Sequence, residues 1–172
     1  MALDEWITTI QDGSSNTKLN RTAAKATLNP GFNVIETIAT SLVEQAAGAE
    51  WDFLSKSLQE TLIYCTGFEA DINYRQVKSR LARFLAGRGT DSLIQRFLSL
   101  YFFNSVWCET GESFRALAWS SASFEKDMDD VDKMCQRIVA SIWKSQELKP
   151  RPLDSSAAQK LVQNIEAQLR GC

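Results

Sequence analysis

The 172-residue chain contains no histidine. That absence excludes His-dependent nucleophilic triads, His-ligated zinc, proximal-His haem and di-iron sites built from Glu-x-x-His pairs. Any catalysis would rest on carboxylates, Lys, Tyr, Cys, Ser or Thr. Turn formers are scarce as well, with three Pro and eight Gly. An all-β chain of this length needs many more turns, so an all-α fold is expected. Cysteine is sparse and scattered: Cys65, Cys108, Cys135 and Cys172 form no C-x-x-C pair. This excludes a thiolate zinc motif and a disulfide scaffold, and implies a reducing compartment. Cys65, Cys108 and Cys135 lie in apolar helical patterns and are expected as small buried hydrophobes. No run approaches 18 uncharged apolar residues, so membrane insertion is not expected. Residues 1–6 lack the basic start and apolar core of a signal peptide, and a cytoplasmic location is expected. No Gly-rich phosphate loop is present, and no cofactor is expected.

What is present suits a packed core. Hydrophobic residues make up 44% of the chain and aromatic residues 10%, which excludes intrinsic disorder. The length fits a single all-α domain spanning 1–172. Within it, 1–30 reads as a peripheral segment, 31–148 as the core bundle, and 149–172 as a Pro linker and C-terminal helix. The net charge of -2 gives no global attraction for nucleic acid.

Hydrophobic spacing marks a bundle of six to eight helices. Ile35, Ile38, Leu42 and Ala46 follow an Asn33 cap and stop at Gly48. Trp51, Leu54, Leu58, Leu62 and Cys65 step by three and four up to Gly67. Asp71 opens a helix faced by Tyr74, Val77, Leu81, Phe84 and Leu85, with Gly87 and Gly89 as its stop. Asp91 opens the most apolar stretch, and a buried central helix is expected near 92–108. Gly111 is expected to separate it from a short piece around Phe114 to Trp119. Phe124, Met128, Val131, Cys135, Ile138 and Ile142 form a narrow seam suited to bundle packing. After Pro150-Arg151-Pro152, Leu161, Val162, Ile165 and Leu169 mark the last helix.

Three constellations could carry function. Arg75, Lys78, Arg80 and Arg83, followed by Arg88, place five cations between Asp71 and Asp91 with no acid among them. Such a basic face suits phosphates or another polyanion, with Lys18, Arg21 and Lys25 as further contributors. Seven acids from Glu109 to Asp132 leave a net charge of -5 there. Of these, Glu109 with Glu112 and Asp127 with Asp130 are the candidate metal-binding pairs. Their spacing is superficially similar to the Mg²⁺ sites of MazG-like all-α pyrophosphatases, and the similarity would imply a Mg²⁺-dependent hydrolase. It spans only this segment; Gly111 within the first pair and Asp in the second depart from the pattern. The same acids also suit the early turns of a helix whose later turns carry Lys133, Arg137 and Lys144, with Asp129 and Lys133 at i, i+4. Finally, Phe102, Phe103 and Trp107 form a candidate interaction face for a protein partner or a second copy.

The reading that follows is a non-enzymatic helical interaction or regulatory module that binds a protein partner or forms a homodimer. Nucleic-acid or polyanion binding through 75–88 is the alternative, and the carboxylate hydrolase ranks third.

Overall fold

A computed structural model describes residues 34–43, 51–67, 69, 71–117, 120–145 and 155–170. The described residues are all-helical apart from short connections, with no strand among them. They form five helices: α1 (Val34–Val43), α2 (Trp51–Thr66), α3 (Tyr74–Leu117), α4 (Ser121–Ser145) and α5 (Ser155–Arg170). The expected count of six to eight is corrected to five among the described residues. The expected Asn33 cap, the Gly48 stop and the basic residues Lys18, Arg21 and Lys25 lie outside them.

The lower count has a physical cause in α3. The expected stop at Gly89 is present as a break inside α3, whereas the helix expected near 92–108 runs on without interruption through Gly111 to Leu117. Gly87 and Gly111 both lie inside α3, because a helix tolerates an interior glycine at a cost of about 1 kcal/mol. The interruption falls at Gly89 alone, whose φ of 77° and ψ of 167° are non-helical. That conformation is essentially confined to glycine. It divides α3 into arms spanning 74–88 and 90–117.

The start of α3 is also corrected. Asp71 lies in the preceding turn, and Asn73 caps the helix. The Gln76 amide donates to Asn73 Oδ1 at 3.0 Å, and the Asn73 amide donates back to Gln76 Oε1 at 2.8 Å. This reciprocal capping box is flanked by buried Ile72 and Val77, which occupy the two positions of a hydrophobic staple. Ser120 and Ser123 exchange the same pair of bonds ahead of α4. Gly67 ends α2 as expected: its φ is +78°, and its amide donates to the Ile63 carbonyl at 2.8 Å.

The chain divides into two compact units, Met1–Leu93 and Ile94–Cys172. In the first, α1 packs against α2. A ten-residue helix is marginal alone, so α1 depends on its buried Ile35, Ile38, Ala39 and Leu42. Leu58 and Leu62 are buried apolar residues of α2, while Val77, Leu81 and Leu85 bury the first arm of α3 at four-residue spacing. Each such side chain contributes about 1.5–3 kcal/mol by leaving water.

In the second unit, Leu98 and Phe102 share a core with Cys135, Val139, Ile142, Trp143 and Ile165. Of the seam read on α4, Cys135 and Ile142 line this core and Val131 and Ile138 pack on its margin, while Val139 and Trp143 complete the α4 contribution. Within 92–108, Leu93, Leu98, Ser99, Leu100, Phe102 and Asn104 are buried, whereas Phe97, Tyr101, Phe103 and Trp107 are half-buried. No helix among the described residues is long and apolar enough to cross a membrane.

Candidate functional site

The most developed site is a hollow in the first unit, between the C-terminal end of α2 and the first arm of α3. Cys65, Thr66 and Gly67 line one side, and Arg80, Arg83, Phe84, Gly87 and Arg88 line the other. It is a shallow, solvent-open hollow of about 680 Å³. At 100° per residue, positions 80, 83, 84, 87 and 88 fall within about 140° of one another on the helix. Arg80 is central in that fan, with Gly87 next to it. A Cβ built on Gly87 would meet nothing within 4 Å, so its side of the lining faces open space.

The three guanidiniums are held differently. Arg80 donates from Nη1 to the Thr66 carbonyl at 2.9 Å and from Nη2 to Glu69 Oε1 at 2.6 Å. The first bond places a cation on the last carbonyls of α2, where the helix dipole favours it. Arg80 therefore fixes one wall of the hollow. Arg88 donates to the Tyr64 hydroxyl at 3.0 Å and lies 5.8 Å from the Phe84 ring centroid. Tyr64 meets Phe84 edge-to-face at 5.9 Å and is 48% exposed. Arg83 is exposed and makes no hydrogen bond or ion pair among the described residues. The result is two anchored cations, one available cation and an aromatic edge.

The structure thus brings Arg80, Arg83 and Arg88 of the sequence-read basic run to one hollow. Arg75, which is exposed, and Lys78 lie elsewhere around the arm and do not line it. Sequence reasoning missed Tyr64, Phe84, Cys65 and Gly87 as parts of the site. The helical fan of 80, 83, 84, 87 and 88 could have been found from spacing. The approach of residues 64–67 could not, because it depends on how α2 ends.

The acidic segment is less organised as a metal site. Gly111 does not break the helix there, contrary to expectation, but the side chains of Glu109 and Glu112 lie outside the described ones. Asp127 and Asp130 are exposed. Asp129 forms its expected bond with Lys133, and this holds the lysine ammonium above its ordinary pKa. Asp132 accepts from Arg96 Nη1 at 3.1 Å and from Gln136 Nε2 at 2.8 Å. Among the described residues, no group of three carboxylates or thiols is placed to hold a metal ion.

The aromatic face is mostly internal. Phe102 is 3% exposed and belongs to the core, Phe103 packs on its margin, and Trp107 meets Phe124 edge-to-face at 5.4 Å. Phe102 therefore serves packing rather than an open surface.

The cysteines separate by exposure. Cys135 is buried, and burial, followed by the charge of Asp132, pushes its thiol up to about 11. Cys65 is half-buried. Cys108 is exposed, a correction to its expected burial: it lies about 9 Å along the helix beyond Phe102, past the core. Native alkylation with iodoacetamide at mildly alkaline pH should modify Cys108 and leave Cys135 intact until denaturant is added. Peptide mass mapping that finds Cys135 labelled as fast as Cys108 would contradict this placement.

No protein family, curated protein or solved structure matches the chain.

Proposed function

We propose that this chain is a non-enzymatic interaction module, and that the hollow at 64–88 is where it takes an anionic segment of a protein partner. One observation carries the reading: Arg80, Arg83 and Arg88 converge on a single open cavity, with Arg83 left exposed and available. Arginine clusters of this kind recognise acidic or phosphorylated motifs through charge-assisted hydrogen bonds. The chain's overall charge of -2 suits recognition at one point rather than attraction along a polyanion. The test is isothermal titration with an acidic peptide at about 50 mM salt, where electrostatic contacts are least screened. The expected Kd is on the order of 10–100 μM, weakened about tenfold by Arg83→Glu. Absence of binding at that salt concentration overturns the reading.

A second reading has its own support. The exposed Tyr64 ring beside Phe84 and Arg88 is the kind of aromatic and cationic surface on which an unpaired base stacks. Tight, salt-dependent binding of a single-stranded oligonucleotide, with none of the acidic peptide, would favour nucleic-acid binding instead.

A further inference from the structure

We infer that the hollow is a receptor for one phosphate monoester carried on a side chain of the partner protein; this rests on the preceding proposal. Charge is the first argument. Three guanidiniums border the cavity, and Glu69 neutralises one of them through Arg80. Two positive charges remain, which matches the -1.5 to -2 of a phosphorylated side chain near neutral pH. A carboxylate would leave one of those charges unanswered. A nucleic-acid phosphodiester likewise carries a single charge per phosphate.

Geometry is the second argument. Arg80 and Arg88 are already anchored, by Thr66 and Glu69 on one side and by Tyr64 and Phe84 on the other. Arg83 lies at the edge of the helical fan, about 60° around from Arg80 and about 140° from Arg88, exposed and with its donors available. Two cations held in place before binding reduce the ordering cost of capture, and a planar guanidinium can grip two phosphate oxygens at once. The third argument is space. A volume of about 680 Å³ is ample for a phosphorylated side chain together with flanking backbone. Gly87 adds no side chain to the lining, and a Cβ there would meet nothing within 4 Å. Its backbone is helical, so the absent side chain is not required by conformation.

The test is isothermal titration of the full chain with three peptides identical except at one central position: phosphoserine, glutamate or serine. A 5′-mononucleotide and a single-stranded oligonucleotide serve as further probes. The phosphoserine peptide should bind at least about tenfold more tightly than the glutamate peptide. Arg83→Ala should remove most of that difference. Gly87→Leu, which occupies the hollow without touching a charge, should weaken the phosphoserine peptide at least about tenfold and the glutamate peptide as well. Circular dichroism checks that both variants remain helical. Equal affinity for the phosphoserine and glutamate peptides would overturn the receptor and leave the acidic-partner reading standing. Failure of both peptides to bind would overturn both. A mononucleotide or oligonucleotide that binds more tightly than the phosphopeptide would overturn the assignment to a phosphorylated protein. Wild-type affinity of Gly87→Leu for the phosphoserine peptide would overturn the location.

Discussion

Replacing Ile165 with Asp should detach the last helix, cost at least about 4 kcal/mol of stability, and open 155–170 to proteolysis. Ile165 is fully buried and joins α5 to the core formed by Leu98, Phe102, Cys135, Val139, Ile142 and Trp143. Truncating a buried Ile costs about 2–5 kcal/mol through lost transfer energy and the cavity left behind. Asp adds the cost of an unpaired carboxylate in the same space, which it avoids only by leaving the core. Ile165→Val removes one methylene and should cost about 0.5–1.5 kcal/mol, separating packing from charge. Urea unfolding followed by circular dichroism, with limited proteolysis mapped by mass spectrometry, reads both effects. An Asp variant within about 0.5 kcal/mol of wild type, a change typical of surface sites, would mean that α5 does not pack through this residue.

Two glycines only two positions apart should respond to alanine with opposite signs. Gly87→Ala should stabilise the chain by about 0.5–1 kcal/mol, since Ala is the better helix former and the new methyl meets nothing within 4 Å. Gly89→Ala also meets nothing within 4 Å, yet it should destabilise by about 1–3 kcal/mol. The difference lies wholly in the backbone, because Gly89 holds φ at 77° and ψ at 167°, where a Cβ is strained. Thermal melts of the two variants measured side by side are sufficient. Equal and favourable shifts would show that residues 87–90 are continuous helix.

The same glycines explain why some of the fold was legible and some was not. Spacing alone located α2 and the seam of α4, because Leu58 with Leu62 and Cys135 with Ile142 repeat at helical intervals. It also anticipated Gly67 as a stop and Asp129 with Lys133 as a pair. It failed where one residue type does two jobs. Gly87 and Gly111 continue a helix while Gly89 interrupts one, and only the φ and ψ values distinguish them. Asp71 and Asn73 are both good caps, and the choice between them turned on Gln76 three residues after Asn73.

The candidate site was half visible for a related reason. The run of Arg75, Lys78, Arg80 and Arg83 announced a basic face from local sequence. Which of those cations serve one cavity depends on Thr66 and Glu69, which lie 14 and 11 positions before Arg80 and reach it only after α2 has ended. The role of Phe102 was misjudged because an apolar face reads the same whether its cover comes from the same chain or from another. Here that cover includes Cys135, Val139 and Ile165.

The inner face of α2 has a consequence for how freely this sequence can drift. Thr61 and Thr66 are buried, yet their hydroxyls bond carbonyls one turn back in the same helix, each at 2.7 Å. Ser99 does the same on α3. Such hydroxyls satisfy themselves locally, so these bonds ask nothing of a neighbouring helix. Exchange among Ser, Thr, Ala and Val at these places breaks no bond between helices; shape alone must be kept. Relatives of this chain would therefore diverge readily along that face, while Asn73, Gln76 and Gly89 stay recognisable.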